Sequence, residues 1–137
     1  MLRKQFNGGR IVQFWEGVYV PKHELTDHLG SVRAVLIPYE GPYYNDYYHF
    51  GKRHSNPNLP QLPETQNMFQ FNGKIKDGHM LDYGARNYDP EIGRWHSPDP
   101  LTEKFRYQSP YAFTSNDPIN KIDTDGRWDI RVHVYNN

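Results

Sequence analysis

The chain has 137 residues, and its 16 Lys+Arg balance its 16 Asp+Glu, so its formal net charge is zero. A balanced charge removes the long-range attraction that draws proteins to nucleic acid or anionic membranes. The absence of cysteine excludes disulfides and thiolate zinc sites. Eleven Tyr, eleven Gly and eleven Pro are typical of short strands joined by many turns. We therefore expect a mainly β protein.

The first half of the chain contains two strand-like segments and a loop. Residues 10–20 are rich in β-branched and aromatic types and predict one strand or a hairpin. Residues 31–37 predict a second strand, which ends at Pro38 because proline has no amide hydrogen to donate. Residues 52–66 contain three prolines among polar residues and predict an irregular, mobile loop.

A turn motif that ends in glycine recurs along the chain. Asp27-His28-Leu29-Gly30 precedes the segment 31–37, and Asp123-Thr124-Asp125-Gly126 precedes an alternating segment that predicts a strand over 127–135. Similar units end at Gly51 and Gly93. In a type I turn, Asp at the first position accepts a backbone hydrogen bond and Gly at the fourth tolerates positive φ. Repeated turn-strand units imply a sheet continued by neighbouring units, and four unrelated turns are the alternative.

The second half carries an ordered series of motifs. An aromatic-Gly-Ala-Arg block, an Asp-Pro, a Gly-Arg-aromatic, a second Asp-Pro, an Asn-x-Pro and a final Asp-x-x-Gly follow one another between residues 81 and 126. This order resembles the RHS repeat-associated core of the RHS/YD-repeat family. Upstream, residues 26–33, 47–52 and 69–74 are similar to the YD-repeat segments that precede that core. The resemblance covers roughly residues 10–126.

The resemblance implies a fold and an organisation. In this family, β-hairpin strips spiral into a hollow shell around a C-terminal effector, and the core closes the shell. Members include bacterial polymorphic toxins, insecticidal toxin complexes and animal adhesion receptors. We therefore expect a YD-repeat-like segment at 1–80, a core at 81–126 and a short tail at 127–137. The expected fold is mainly β, with antiparallel hairpins, long loops and at most one or two short helical turns, one of them near 118–122.

The function implied by the resemblance is structural. The chain would form the C-terminal end of an RHS-repeat shell, as a fragment or degenerate copy of a secreted or cell-surface toxin-type protein. Its partners would be the remaining shell and an effector cargo, with no nucleic acid. No apolar run follows the basic start of the chain, so we expect neither a signal peptide here nor a membrane span.

An alternative function is self-cleavage by an aspartyl-protease-like site. The resemblance places its catalytic residues at Arg86, Asp99 and Asp123, with cleavage after the 123–126 motif. Two carboxylates held close share a proton, so one can activate water while a guanidinium tunes the pair. This chain departs from the family pattern, with Thr124 in place of proline and Arg127 in place of an apolar residue. In the structural alternative, which we favour, the same three side chains only stabilise turns.

Two further kinds of site are considered. The spacing of the seven His residues does not predict a metal site, and the aspartates near the end of the chain lack the rest of a calcium-loop pattern, so no metal or cofactor is expected. Tyr43 and Tyr47, beside Asn45 and Asp46, could stack on sugars as a carbohydrate-binding surface. Cross-strand aromatic packing is the favoured explanation for these tyrosines.

Overall fold

The computed structural model describes residues 5–6, 9–13, 19–63 and 67–134, and within these ranges the protein is mainly β. The strands form four antiparallel sheets, and helical structure in these ranges consists of three-residue 3-10 turns. The predicted mainly β class is therefore confirmed. No helix in these ranges is both long and apolar enough to cross a membrane.

The largest sheet has five strands that pair in chain order. They are β1 Gln5–Phe6, β2 Gly9–Gln13, β3 Tyr19–Thr26, β4 Val32–Ile37 and β5 Gly41–Tyr44. The predicted segment 10–20 thus belongs to a hairpin of β2 and β3, and its residues 14–18 lie outside the described ranges. Strand β4 matches the predicted second strand and ends before Pro38.

One face of this sheet builds a buried aliphatic cluster. Its members are Val32, Val35, Ile37 and Leu62. Leu62 lies in the predicted loop 52–66, which is therefore less irregular than expected. The loop also contains β7 Arg53–His54, which pairs with β6 Asp46–Tyr47. Residues 64–66 of the loop lie outside the described ranges.

The rest of the chain forms short strands joined by turns. A four-stranded sheet contains, in sequence order, β8 Ile75–Asp77, β9 Met80–Asp82, β10 Asn87–Asp89 and β11 Arg94–Trp95. A separate hairpin pairs β12 Lys121–Asp123 with β13 Asp129–Arg131. The strand predicted over 127–135 is thus only three residues long in the described part of the chain.

These short strands surround a buried aromatic cluster. Its members are Phe71, Leu81, Tyr83, Tyr88, Trp95 and Phe113. The rings of Tyr88 and Phe113 stack with centroids 3.9 Å apart. The Tyr88 hydroxyl donates to the Phe50 carbonyl oxygen at 2.5 Å, and the Tyr83 hydroxyl donates to Asn72 Oδ1 at 2.6 Å. Both tyrosine hydroxyls therefore have a partner, as a low-dielectric interior favours.

The glycine-ended turns have the geometry that the sequence predicts. Asp27 Oδ1 accepts hydrogen bonds from the amides of Leu29 and Ser31, at 2.9 and 3.0 Å. Gly30 has φ +76°, a backbone conformation that side chains disfavour. The chain then enters β4 within two residues. Each such turn therefore starts a strand.

The predicted helical turn near 118–122 is a single turn. Its one i to i−4 hydrogen bond runs from the Lys121 amide to the Asp117 carbonyl oxygen at 3.1 Å. It stops there because Lys121 begins β12. The 3-10 turns lie elsewhere, at Phe71–Gly73, Thr102–Lys104 and Thr114–Asn116.

Candidate active site around Arg86

The last turn of the chain is organised by one carboxylate. Asp123, the final residue of β12, accepts three backbone N–H bonds on Oδ1, from Gly126 at 2.7 Å and from Asp125 and Arg127 at 3.1 Å each. Gly126 has φ +81°, and a Cβ there would lie 2.9 Å from the Arg86 backbone nitrogen. The turn therefore requires both the carboxylate and a glycine, and it lies directly against Arg86.

Arg86, which lies between β9 and β10, is buried and tightly held. Its Nε donates to the Gly126 carbonyl oxygen at 2.6 Å, and Nη1 donates to the Pro110 carbonyl oxygen at 3.2 Å. The guanidinium carbon lies 4.1 Å from the centroid of the Trp95 ring, within the range of a cation–π contact. Arg86 is thus positioned by two contacts: the Trp95 ring of the aromatic cluster packs against its guanidinium, and the last turn accepts its Nε hydrogen bond.

The structure brings together all three residues that the resemblance singled out. Arg86 Nη2 lies 3.6 Å from Asp99 Oδ2 and 3.8 Å from Asp123 Oδ2. The side chains of Arg86 and Asp123 are 3% and 1% exposed, whereas that of Asp99 is 12% exposed. Asp99 Oδ1 accepts the Leu101 amide at 2.7 Å, so this residue also begins a turn. One guanidinium therefore stands between a buried carboxylate and a more open one.

The two carboxylates are electrostatically unequal. Burial raises the pKa of Asp123, and the nearby Asp129 carboxylate adds to this effect, while the three backbone N–H bonds act in the opposite direction. Asp123 Oδ2 is buried and accepts no hydrogen bond from the described residues, which also favours its protonated form. Burial lowers the pKa of Arg86, and the carboxylates of Asp99 and Asp123 oppose that shift. Asp123 is thus suited to keep a proton.

A cleft of about 150 Å³ opens beside Arg86 and Asp99. Its wall includes Phe105 and Trp128, whose rings meet edge to face at 5.3 Å between centroids. Asp129 also lines the cleft and accepts a hydrogen bond from the Ser115 hydroxyl at 2.6 Å. Sequence reasoning missed these residues because they come from separate turns with no common spacing. The cleft gives solvent a route to the Arg86–Asp99 side of the site.

The tyrosines considered for sugar binding are half-buried. The Tyr47 hydroxyl donates to the Val32 carbonyl oxygen at 3.0 Å, and Tyr43 packs against the aliphatic cluster. Asn45 is buried in an amide pair with Asn67, with Asn67 Nδ2 donating to Asn45 Oδ1 at 2.8 Å. Asn45 is therefore not available to contact a sugar beside these tyrosines. Sugar binding by these tyrosines remains a prediction.

Comparison with known sequences identifies two partial relatives, and no family model matches. The chain is 36% identical to salivary gland surface protein 1 of Aedes aegypti over 109 residues, and 36% identical to teneurin-3 of Danio rerio over 67 residues. These alignments cover 75% and 44% of this chain. The chain spans only 3% and 2% of the length of these relatives.

Comparison with solved structures identifies the fold. A crystal structure of TcdB2-TccC3 matches 91% of the chain with a TM-score of 0.71 and 22% identity. The structure of the Photorhabdus luminescens Tc holotoxin pore matches 99% of it with a TM-score of 0.72 and 21% identity. This chain covers only 6% and 7% of those chains. Its antiparallel fold is therefore shared with a small part of much longer toxin-complex proteins.

Proposed function

We propose that this chain is a structural element at the C-terminal end of an RHS/YD-repeat shell. The observation that carries the proposal is that nearly the whole chain matches a small part of much longer toxin-complex chains. Its partners are then the rest of the shell and an effector enclosed by it. The parent protein is a toxin-type protein that is secreted or displayed at the cell surface.

The exposed features of the five-stranded sheet support this structural role. Strands β1 and β5 are its edges. Leu25 and Leu36 are large apolar residues on β3 and β4 that are 54% and 38% exposed. Sheet edges and exposed apolar side chains are where a further repeat of a shell would pack.

The test is the behaviour of the isolated chain. We expect a broad thermal transition and association that increases with protein concentration, measured by circular dichroism and analytical ultracentrifugation. A Leu25→Lys variant should associate less, because a charge on this face opposes apolar contact. A sharp two-state melt of a stable monomer would contradict the proposal.

The geometry around Arg86 supports a second function, self-cleavage of the Gly126–Arg127 peptide bond. The carbonyl oxygen of that bond already accepts the Arg86 Nε hydrogen bond. The N–H of the same bond donates to Asp123 Oδ1 at 3.1 Å, so the carboxyl group lies next to the leaving nitrogen. Donors to the carbonyl oxygen and a carboxyl group at the leaving nitrogen are what amide hydrolysis needs.

The steps assign one role to each residue. Asp99, on the cleft side, takes a proton from water as the water oxygen attacks the Gly126 carbonyl carbon. Arg86 stabilises the negative charge that develops on the carbonyl oxygen. Protonated Asp123 then gives its proton to the Arg127 nitrogen as the C–N bond breaks. The products are a carboxylate at Gly126 and a free amine at Arg127.

Mass spectrometry of the expressed protein tests this function. We expect a fragment that ends at Gly126, and we expect it to be absent in Asp99→Asn and Asp123→Asn. Asp77→Asn, an exposed aspartate on β8, serves as the matched control and should cleave like wild type. A wild-type chain that stays intact at every pH would exclude self-cleavage.

A further inference from the structure

Lys74 contacts the last turn at Thr124, whereas Arg86 contacts it at Gly126. Lys74 follows the 3-10 turn Phe71–Gly73 and immediately precedes β8. Its ammonium nitrogen donates to the Thr124 carbonyl oxygen at 2.5 Å and lies 4.8 Å from the centroid of the Tyr83 ring. The Tyr83 hydroxyl is itself bonded to Asn72, so the ring is a fixed surface for the ammonium. The Lys74 ammonium group is therefore held in place on the Tyr83 ring while it contacts the turn.

Thr124 is the first residue after Asp123 in that turn. Asp123 Oδ1 holds the amides of the turn from inside, while Lys74 holds a carbonyl of the turn from outside. Burial lowers the pKa of Lys74, but the carboxylates of Asp123, Asp125 and Asp82 each favour its charged form. A charged donor makes a stronger hydrogen bond to a carbonyl than a neutral one. The turn is thus held by the Asp123 carboxyl group at its amides and by the Lys74 ammonium group at a carbonyl.

We propose that Lys74 is a positioning residue for self-cleavage at Gly126. By holding the Thr124 carbonyl, it seats the Gly126 carbonyl on Arg86 and the Arg127 amide on Asp123. The inference rests on the self-cleavage function proposed above. It adds to that function a residue 12 positions before Arg86 that touches neither the water nor the scissile bond.

The charge of Lys74 also has a consequence for the pH dependence of cleavage. The charged or titratable groups that face the Asp123 carboxyl are Arg86, Asp129, Lys74 and Tyr83. Removing the positive charge of Lys74 makes the Asp123 carboxylate less favourable, so the pKa of Asp123 rises further. Because Asp123 must be protonated to act as the acid, cleavage then persists to higher pH.

The experiment measures the first-order cleavage rate of the full chain as a function of pH. We expect Lys74→Gln to slow cleavage by about tenfold or more, the loss typical of one charged hydrogen bond. In the plot of cleavage rate against pH for this variant, the fall in rate on the basic side, its basic limb, should move to higher pH. Lys74→Arg should keep the wild-type limb and recover part of the rate. Lys76→Gln, a half-buried lysine on the same hairpin, is the control and should match wild type.

Four outcomes separate the two proposals. Cleavage of Lys74→Gln at the wild-type rate and pH profile overturns the role of Lys74 and leaves self-cleavage standing. A slower rate with an unmoved basic limb also overturns it, because a merely structural residue would give that result. Amide hydrogen exchange of the uncleaved Asp99→Asn chain is an independent readout. There, adding Lys74→Gln should speed exchange at Gly126 and Arg127 but not at Tyr88, and unchanged exchange overturns the proposal. A wild-type chain that never cleaves overturns both proposals together.

Discussion

The two buried clusters of this protein are built in opposite ways. The aliphatic cluster lies on one face of a sheet with strands of up to eight residues; β4 contributes three of its members and a loop contributes Leu62. The aromatic cluster lies among strands of two or three residues, and these short strands and the turns between them supply its rings from five separate segments. Edge-to-face contacts between the rings, and hydrogen bonds from tyrosine hydroxyl groups, connect those segments.

The difference shows why the candidate site lies in the aromatic half. A regular sheet places side chains at fixed spacings, and strand pairing determines their directions. Short strands and hydrogen-bonded turns instead bring residues that are distant in sequence around a single point. Arg86, Asp99 and Asp123 come from three such segments and meet at the Arg86 guanidinium, which lies over Trp95. Disturbing each half separately should therefore have distinct consequences.

The largest effect should come from removing the central ring of the aromatic cluster. Trp95 is almost fully buried and supports Arg86, so Trp95→Ala should lower the free energy of unfolding by about 4 kcal/mol. Val35→Ala in the aliphatic cluster should cost about 2 kcal/mol, because it removes fewer buried carbons. Urea denaturation measures both. Equal losses would show that the two clusters do not differ as described.

The next effect separates the turns of the two halves. Gly126→Ala places a Cβ 2.9 Å from the Arg86 backbone nitrogen at φ +81° and should cost about 3 kcal/mol. Gly41 has φ +101°, but a Cβ there would meet no atom within 4 Å, so Gly41→Ala should cost only about 1 kcal/mol of backbone strain. Thermal unfolding of both variants makes the comparison. A harmless Gly126→Ala would mean that the turn moves away from Arg86.

A smaller effect is expected from single hydroxyl groups. Tyr88→Phe removes the bond to the Phe50 carbonyl oxygen and leaves that acceptor without the donor, which should cost about 1 kcal/mol. Tyr43→Phe removes an exposed contact with Glu40 at 3.4 Å and should be neutral within about 0.5 kcal/mol. Chemical denaturation resolves the two. If Tyr43→Phe lowered the free energy of unfolding more than Tyr88→Phe, the Tyr43 hydroxyl in the five-stranded sheet would be the more stabilising of the two.

The smallest effect is a change in the pH dependence of stability. Because the pKa of Asp123 is raised in the folded state, the folded chain binds this proton more tightly than the unfolded chain. Its contribution to stability is therefore complete below the unfolded value, near 3.8, and is lost as pH rises through the raised pKa. Asp123→Asn lacks this loss, so its stability relative to wild type should improve over that window.

Tyr88→Phe is the control for this measurement. Burial raises the pKa of Tyr88, so its hydroxyl stays neutral throughout the acid range. Its stability difference from wild type should therefore not change with pH, as followed by urea denaturation at a series of pH values. A flat difference for Asp123→Asn as well would show that folding does not raise the pKa of Asp123.

The sequence was sufficient to predict the class of the fold and several of its elements. Strand β4 and the turns at Asp27 and Asp123 follow from local chemistry, since strand-forming residue types, proline and Asp-x-x-Gly spacing act within a few residues. Arg86, Asp99 and Asp123 were singled out by a family resemblance, and the structure brings them together, while their catalytic roles remain predictions.

Other features of the site could not be predicted from local patterns. Lys74 contacts Thr124 from 50 positions away, and Leu62 joins the aliphatic cluster from a loop rich in proline. The buried pairing of Asn45 with Asn67 likewise depends on two segments 22 positions apart. Such contacts depend on the packing of whole segments, and no local sequence pattern indicates them.

The β12–β13 hairpin has a mechanical consequence for any cut at Gly126. The two strands pair at three positions, and the Val132 amide donates to the Asn120 carbonyl oxygen at 2.8 Å. Trp128 packs on Phe105 beyond the cut, and Ser115 holds Asp129. Hydrolysis would remove one covalent link and leave all of these contacts in place. The segment after the cut would then stay bound noncovalently as a strand of the hairpin. Its release would require an applied force or local unfolding.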